Sequence, residues 1–412
     1  MSLGAHLMQQ AVGQRHGMVL PPQRAPLSMA DADIVHYGVP RRINSPWESA
    51  SGGVARRERD ARLAAIGETV ERAASGLVQL PMRPRRDIPP DERIDAEDFA
   101  LFTPDQRARP GFPHGSIYDP GCPYVEAFSL VDNSAVWVPQ PFVSLQDPHR
   151  TGVPNSSGLA AGPDPHAALL RGVQELIERD ALMTTWLHGL SGHAIAPPSL
   201  LVSEVAGLSG EFTVLDLTPA YSPFPVAAVM GGIPKRGVWR YSLGVACKCD
   251  WDSAVDKAYL EWNQGVLFAG VYGELADVSW IQKDTELHSF DEHAMYYTLY
   301  PELWPKLPIL REKNAPYAPS RRTAPEDSRR ALEVTRKALV DAGIRVYYRE
   351  VSTIDAIQAG LRVVKALSPD MALIHSHDVW PFLHKVDDMV ESRYPSRGAE
   401  SQFPNLKPHP LG

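Results

Sequence analysis

The pattern E-x-x-E-R occurs twice, as Glu68-Thr-Val-Glu71-Arg72 and as Glu175-Leu-Ile-Glu178-Arg179. Each copy lies in a stretch of helical periodicity. The two Glu stand at i and i+3 and the Arg at i+4, so all three side chains share one helix face. A single triplet of this kind is an ordinary solvated face with a Glu-to-Arg pair. Two copies with small and apolar neighbours call for more: matched helices that build an acidic, Arg-lined cleft. Carboxylate oxygens and guanidinium forks are the chemistry that holds Mg²⁺ and a nucleoside triphosphate.

The chain has 412 residues, room for one large domain or two ordinary ones. Its 44% hydrophobic and 22% charged content is ordinary for a globular protein. The net charge of −8 carries no Lys/Arg run, which argues against a nucleic-acid partner. Of the three cysteines, Cys247 and Cys249 form a C-x-C without a second pair. On an alternating strand both thiols would face one way, and a zinc site is not expected. So few thiols fit a reducing cytoplasm. No stretch has the apolar length of a membrane span, so no membrane role is expected.

Along the chain, residues 1–50 read as an irregular, partly helical lead-in, and Ser51-Gly-Gly53 as a flexible turn. A helix is expected over Ala55–Ser75, with Leu63, Ile66 and Val70 inward and Gly76 near its C-cap. Val125–Leu130 and Ala135–Val138 read as strands around an Asp132-Asn133 turn. The second strong helix is Pro163–His188, with a stripe of Leu169, Leu170, Val173, Leu176, Ile177 and Leu182. Phe212–Leu217, Val226–Met230 and Val238–Leu243 read as strands, with Gly231-Gly232 as a turn. A third helix, Asp252–Phe268, capped by Asp250 or Asp252, buries Val255, Ala258, Tyr259, Trp262 and Val266 and carries Glu261 and Gln264 at i and i+3. After a Pro-rich connector over 300–327 come a helix at Ser328–Ala342 ending at Gly343, a strand at Arg345–Glu350, a short helix near Ile354–Ala359 and a strand at Leu361–Ala366. The fold class is α/β or α+β, mixed sheets with flanking helices. His193, His288, His293 and His375 read as ordinary surface or core histidines. Trp137, Trp186, Trp239 and Trp262 read as core anchors.

Five ordered segments together resemble the YcaO superfamily. Ala61–Arg72 is similar to its S-A-x-x-E-x-x-E-R segment. Asn155-Ser-Ser-Gly-Leu-Ala-Ala-Gly162, followed by Gln174-Glu-Leu-Ile-Glu-Arg-Asp-Ala181, is similar to its N-S-T-G-x-A-x-G … E-x-x-E-R-D-A segment. Leu243-Gly-Val-Ala246 with Ala258-x-x-Glu261-Trp-Asn-Gln264 resembles its third nucleotide-site element. Gly343-Ile-Arg-Val-Tyr347, Gly360-Leu-Arg-Val-Val364 and Ser368-Pro-Asp370 resemble its late strand–loop–strand region. Pro408-His-Pro-Leu-Gly412 is similar to the Pro-rich tail of peptide-modifying members. Departures are Ala64 where many members have Ser, Pro163 for a common Asn, Ala167 where an acidic residue is frequent, and Val54 in place of a Lys after the early glycines.

The resemblance implies a YcaO-like fold: a lead-in over 1–50, an ATP-dependent catalytic domain over 51–400 and a tail over 401–412. It implies ATP and Mg²⁺ as cofactors, with Glu68, Glu71, Glu175 and Glu178 as metal ligands. Arg72 and Arg179 are implied on the phosphates, and Asn155, Ser156, Glu261 and Gln264 around the nucleotide. The implied activity is cyclodehydration of Cys, Ser or Thr in a ribosomally made precursor peptide to azolines, as one subunit of a thiazole/oxazole-modified microcin synthetase. Thioamide or macroamidine formation by the same activation, or a scaffold role, stays open. Implied partners are the precursor peptide, an E1-like leader-binding protein, since no such module is expected ahead of residue 50, and an FMN-dependent azoline dehydrogenase in an oligomeric complex. The α-carboxylate of Gly412, at the end of a Pro-stiffened rod, is expected near the ATP site as a proton-transfer group beside the catalytic Arg72 and Arg179. An ordinary frayed terminus is the alternative reading of the same tail.

Overall fold

Acidic residues Glu58 and Asp60 open the first E-x-x-E-R helix, Glu58–Leu77, where they complement its dipole. Ala61, Ala65, Ile66, Val70, Ala73 and Ala74 make its buried stripe, small enough to let the helix lie close on neighbouring strands. The computed structural model describes residues 3–15, 17–25, 33–40, 51–275, 277–312, 316, 318–319, 324–395 and 397–411. They fall into two compact units. One comprises Met1–Ala25, Val35–Leu176 and Pro325–Met371; the other comprises Pro26–Ile34, Ile177–Ala324 and Ala372–Gly412.

In the first unit the strand order of the larger sheet is Met82–Pro84, Pro123–Ser129, Tyr347–Glu350, Arg362–Leu367, Leu159–Gly162, with Ala135–Pro139 also paired to Pro123–Ser129. Every pairing in it is antiparallel. Gln23–Arg24, Val35–Val39 and Ser51–Ala55 form a smaller antiparallel sheet, on which helix Glu58–Leu77 packs. Helix Ser328–Asp341 ends where Gly343 adopts φ +69°.

In the second unit Val238–Cys247, Val226–Lys235, Glu211–Asp216 and His193–Ile195 form an antiparallel sheet in that order. Helix Trp251–Leu275 lies on its two longest strands, burying Val255, Ala258, Tyr259, Trp262 and Val266 as its periodicity requires. Asp250 caps it through Ser253 N–H at 2.8 Å. The second E-x-x-E-R helix, Pro165–Leu187, passes from the first unit into the second between Leu176 and Ile177. All six residues of its expected apolar stripe are buried.

The structure corrects several local readings. Ser51-Gly-Gly53 and Ala55 are strand, because Ser51–Ala55 pairs residue for residue with Val35–Val39. The lead-in therefore supplies sheet as well as the helix Leu3–Gln10. Gly76 is helical, and the helix stops only at Val78 in an extended conformation. Gly231-Gly232 lies inside a strand; a Cβ on Gly231 would stand 2.0 Å from the Glu211 carbonyl, so glycine there serves strand approach, and the turn falls at Arg236-Gly237. Cys249 lies beyond the end of its strand, so alternation does not align it with Cys247. Trp186 and Trp262 are fully buried, whereas Trp137 and Trp239 are half-buried, the first under Arg83 and the second stacked on Tyr241. The third helix runs on to Leu275, and helix Phe290–Leu299, capped by Ser289, precedes the Pro-rich connector. Among the described residues, no helix is long and apolar enough to cross a membrane.

Candidate nucleotide site

In the first unit, one face of helix Glu58–Leu77 presents Glu68, Glu71 and Arg72. Glu68 accepts the Gly52 N–H at 3.1 Å and faces Arg72 at 3.3 Å, an i, i+4 pair. Glu71 accepts the Ala161 N–H at 2.9 Å, and Glu175 accepts the Gly158 N–H at 3.0 Å. The two carboxylates thus hold opposite ends of the segment 158–161. Burial, and next Glu175 as a like charge, push the Glu71 carboxyl up to about 8. Glu71 keeps some exposed surface, so this reflects the density of protein and negative charge around its carboxyl group rather than complete enclosure. Arg72 Nε is buried without a hydrogen-bond partner.

Lys365 completes this group, and sequence reasoning missed it. It sits in strand Arg362–Leu367, opposite Leu159, and is only 4% exposed. Its ammonium donates to the carbonyls of Asn155 at 2.8 Å and Ser157 at 2.6 Å. Burial brings it down to about 8, against the opposing pull of Glu175 and Glu71. A lysine flanked by Val363, Val364 and Ala366, all buried, was the available signal: a cation in such a strand needs carboxylate company. Asn155 turns its own loop, accepting the Ser157 N–H at 3.0 Å, while Ser156 is half-buried and accepts the Leu159 N–H through its carbonyl. Gly158 holds φ +78°, and a Cβ there would stand 2.2 Å from the Ala366 carbonyl oxygen.

In the second unit, Glu178 is buried and accepts the Cys247 N–H at 3.3 Å, with Arg179 Nε 3.9 Å from its other oxygen. The next residue, Asp180, is fully buried and saturated: it accepts from Ala372 N–H at 2.7 Å, Tyr221 hydroxyl at 2.8 Å and Arg393 Nε at 3.0 Å. That network fixes the rotation of the helix turn carrying Glu178 and Arg179. Glu261 pairs with Lys257 at 3.0 Å, and both Glu261 and Gln264 are half-buried on helix Trp251–Leu275. Among the described residues no three His, Cys, Asp or Glu converge as a ready metal cluster.

The chain's end runs through the second unit. Lys407 is exposed, Pro408 half-buried, and His409, Pro410 and Leu411 are buried. Gly412 lies outside the described residues. His293 and His375 are buried around this tail, while His193 and His288 are exposed.

The oxygen-only donors of Glu68, Glu71 and Glu175 suit a hard divalent cation. The crowding that raises Glu71, and the orphaned Nε of Arg72, are what such a cation and a phosphate would relieve.

The YcaO family model, described as YcaO cyclodehydratase, ATP- and Mg²⁺-binding, matches residues 52–372. Among solved structures, a heterocyclase in complex with substrate and cofactor aligns at TM-score 0.73 and 18% identity, over 98% of this chain and 57% of that one. The chain therefore spans little more than half of that heterocyclase. The E. coli microcin synthetase McbBCD complex aligns at TM-score 0.67 and 15% identity, over 97% and 99% of the two chains. YcaO from Methanopyrus kandleri, bound with AMPPCP and Mg²⁺, aligns at 0.62 and 17%, over 89% and 88%. At such identities the likeness is one of fold. No curated protein sequence matches the chain.

Proposed function

The chain belongs to the YcaO family, and on that premise we propose that it activates backbone amides of a ribosomally made precursor peptide at the cost of ATP. The proposed outcome is ring closure of Cys, Ser or Thr side chains onto the preceding carbonyl, releasing ADP and phosphate. The observation that carries the reading is the first-unit group: Glu68, Glu71, Glu175, Arg72 and the buried Lys365 around the loop 155–158. Asn155 and Ser156 of the first unit, and Glu178, Arg179, Glu261 and Gln264 of the second, are each proposed as nucleotide-handling residues. When bound, Mg²⁺ would be held by the first-unit carboxylates Glu68, Glu71 and Glu175 and would supply charge neutralisation for phosphoryl transfer.

The chain's own residues have definite tasks in this reading. Arg72 and Arg179 present guanidinium forks to anionic oxygens. Lys365 keeps loop 155–158 in place through two carbonyls and offsets the charge of Glu71 and Glu175. Asp180, by fixing Arg393, Tyr221 and Ala372, holds Glu178 and Arg179 in register. Gly412 is proposed to take part in proton transfer from the cyclising nucleophile.

Family resemblance motivates the assembly we propose: precursor peptide, E1-like leader-binding partner and azoline dehydrogenase, acting in the cytoplasm. Product mass tests the reaction. With the partner, peptide and Mg-ATP, each modified site should lose about 18 Da, the water expelled on ring closure. A gain of about 16 Da would mean oxygen-to-sulfur exchange, and an unchanged mass in an intact complex would mean a scaffold.

A further inference from the structure

Two prolines in four residues deprive the tail of the usual means of fixing its register. Pro408 and Pro410 have no N–H to give to a strand ladder, so the register of the segment must be set by other bonds. Instead, three consecutive carbonyls are each taken by a different side-chain donor. Trp186 Nε1–H donates to Lys407 O at 2.8 Å, the Tyr297 hydroxyl to Pro408 O at 2.6 Å, and His293 Nδ1–H to His409 O at 3.0 Å. Upstream, Asn405 is tied to the same helix end, its N–H to Leu187 O at 2.7 Å and its side-chain amide to Trp186 O at 3.0 Å.

His409 grips back with its own ring. Its ring is fully buried and stacks on His293 with centroids 4.1 Å apart and planes 16° from parallel. The His375 ring meets it edge-on at 5.4 Å. Its Nε2 lies 2.6 Å from the His375 carbonyl oxygen, so Nε2 carries the proton and donates. A slip of one residue would bring Pro408 or Pro410 into this slot, and neither has a donor or an aromatic face.

We propose that His409 is the positioning residue of the segment 407–411, setting its register by its stack on His293 and its bond to His375. The consequence for activity rests on the function proposed above, in which Gly412 takes part at the reacting group. The ring acts there only through the tail it holds. The slot selects a neutral ring, because Nδ1 of His409 and Nδ1 of His375 are buried without partners and a second N–H would find no acceptor. Burial, then His293 and His375, accordingly hold His409 well below its ordinary range, and Arg179 adds to this as a nearby positive charge.

The test uses the full chain as wild type, His409→Ala, His409→Phe and His409→Gln. Gln keeps a donor near Nε2, and Phe keeps the stack. Hydrogen exchange at pH 7 should quicken about tenfold or more in peptides from 402–411 of His409→Ala, with peptides from 165–187 unchanged. Phe and Gln should each fall between Ala and wild type. In peptide modification, kcat of His409→Ala should drop about tenfold or more while KM for ATP stays within about threefold, and Gln should recover part of the loss. Wild-type exchange in the tail of His409→Ala overturns the proposal, whether or not the chain turns ATP over. Faster tail exchange with no wild-type activity under any condition would sink the functional reading but support the anchor. If the Ala variant does not fold, Gln and Phe decide: exchange equal to wild type in both overturns the anchor.

Discussion

Glu71 accepts the backbone N–H of Ala161 at 2.9 Å, which ties the first E-x-x-E-R helix to the strand that leads into the second. The bond sets a carboxylate where Glu175 is the like charge that acts on it most strongly. An acidic pair of this kind is costly without a cation, and Arg72 and Lys365 offset part of its charge. Glu71→Gln should therefore fold at least as well as wild type, since the amide oxygen still accepts from Ala161 and the like-charge repulsion is gone. Thermal denaturation should place its Tm within about 3 °C of wild type or above it. A drop of about 10 °C would mean that the charge of Glu71 serves the apo fold.

Gly158 is the most constrained point of the loop. Its φ of +78° and the 2.2 Å approach of a would-be Cβ to Ala366 O leave no room for a side chain. Gly158→Ala should cost about 3 kcal/mol or more, read as a shifted urea midpoint. A cost under about 1 kcal/mol would show that the loop re-forms freely.

How much of this could be read from the sequence follows from the physics of each part. Helix stripes were legible because apolar spacing is local: the stripes of helices Pro165–Leu187 and Trp251–Leu275 are buried as their periodicity dictates. Strand ends were less so. Ser51-Gly-Gly53 has turn composition but is strand, because Val35–Val39, far off in sequence, pairs with it. Gly231 has turn composition for the same kind of reason, a close approach by Glu211 that no local pattern announces. The carboxylates were visible because they repeat. Lys365 was not, because its meaning depends on the loop 155–158 folded against it. The histidines around the tail lie far apart in sequence and meet only in the fold.

Asp180 and Arg393 form a buried ion pair at 3.0 Å, with 0% and 6% of their side chains exposed. Asp180→Asn removes the negative charge that Arg393 Nε pairs with, at a cost of about 3–5 kcal/mol in denaturant titration. Adding Arg393→Met should restore part of that loss. A double variant no better than the single would show that Tyr221 and Ala372, rather than the ion pair, set the penalty.

The tail should loosen in acid. Burial holds His293 down to about 4 and His375 down to about 3, and His409 is lowered as well. The charged groups that face them are Arg179, Glu292, His377 and Asp378, the last raised to about 6 by burial. In the released state these rings titrate near 6.5, so release binds protons and held-tail stability is complete only above that value. It declines as pH falls from about 6.5 toward about 4. Intrinsic-rate-corrected hydrogen exchange of peptides from 402–411 should rise across that window before peptides from 251–275 respond. A flat profile down to pH 4 would contradict the neutral-histidine clamp.

Mg-nucleotide binding is the step on which the proposed function depends. Calorimetric titration of the full chain with a non-hydrolysable ATP analogue, with and without Mg²⁺, tests it most directly. The account predicts saturable binding that needs Mg²⁺, weakened about 100-fold or more, some 2.7 kcal/mol, in both Glu71→Gln and Glu178→Gln while each variant keeps the wild-type circular dichroism. Unchanged affinity in either folded variant, or nucleotide binding indifferent to Mg²⁺, would contradict it.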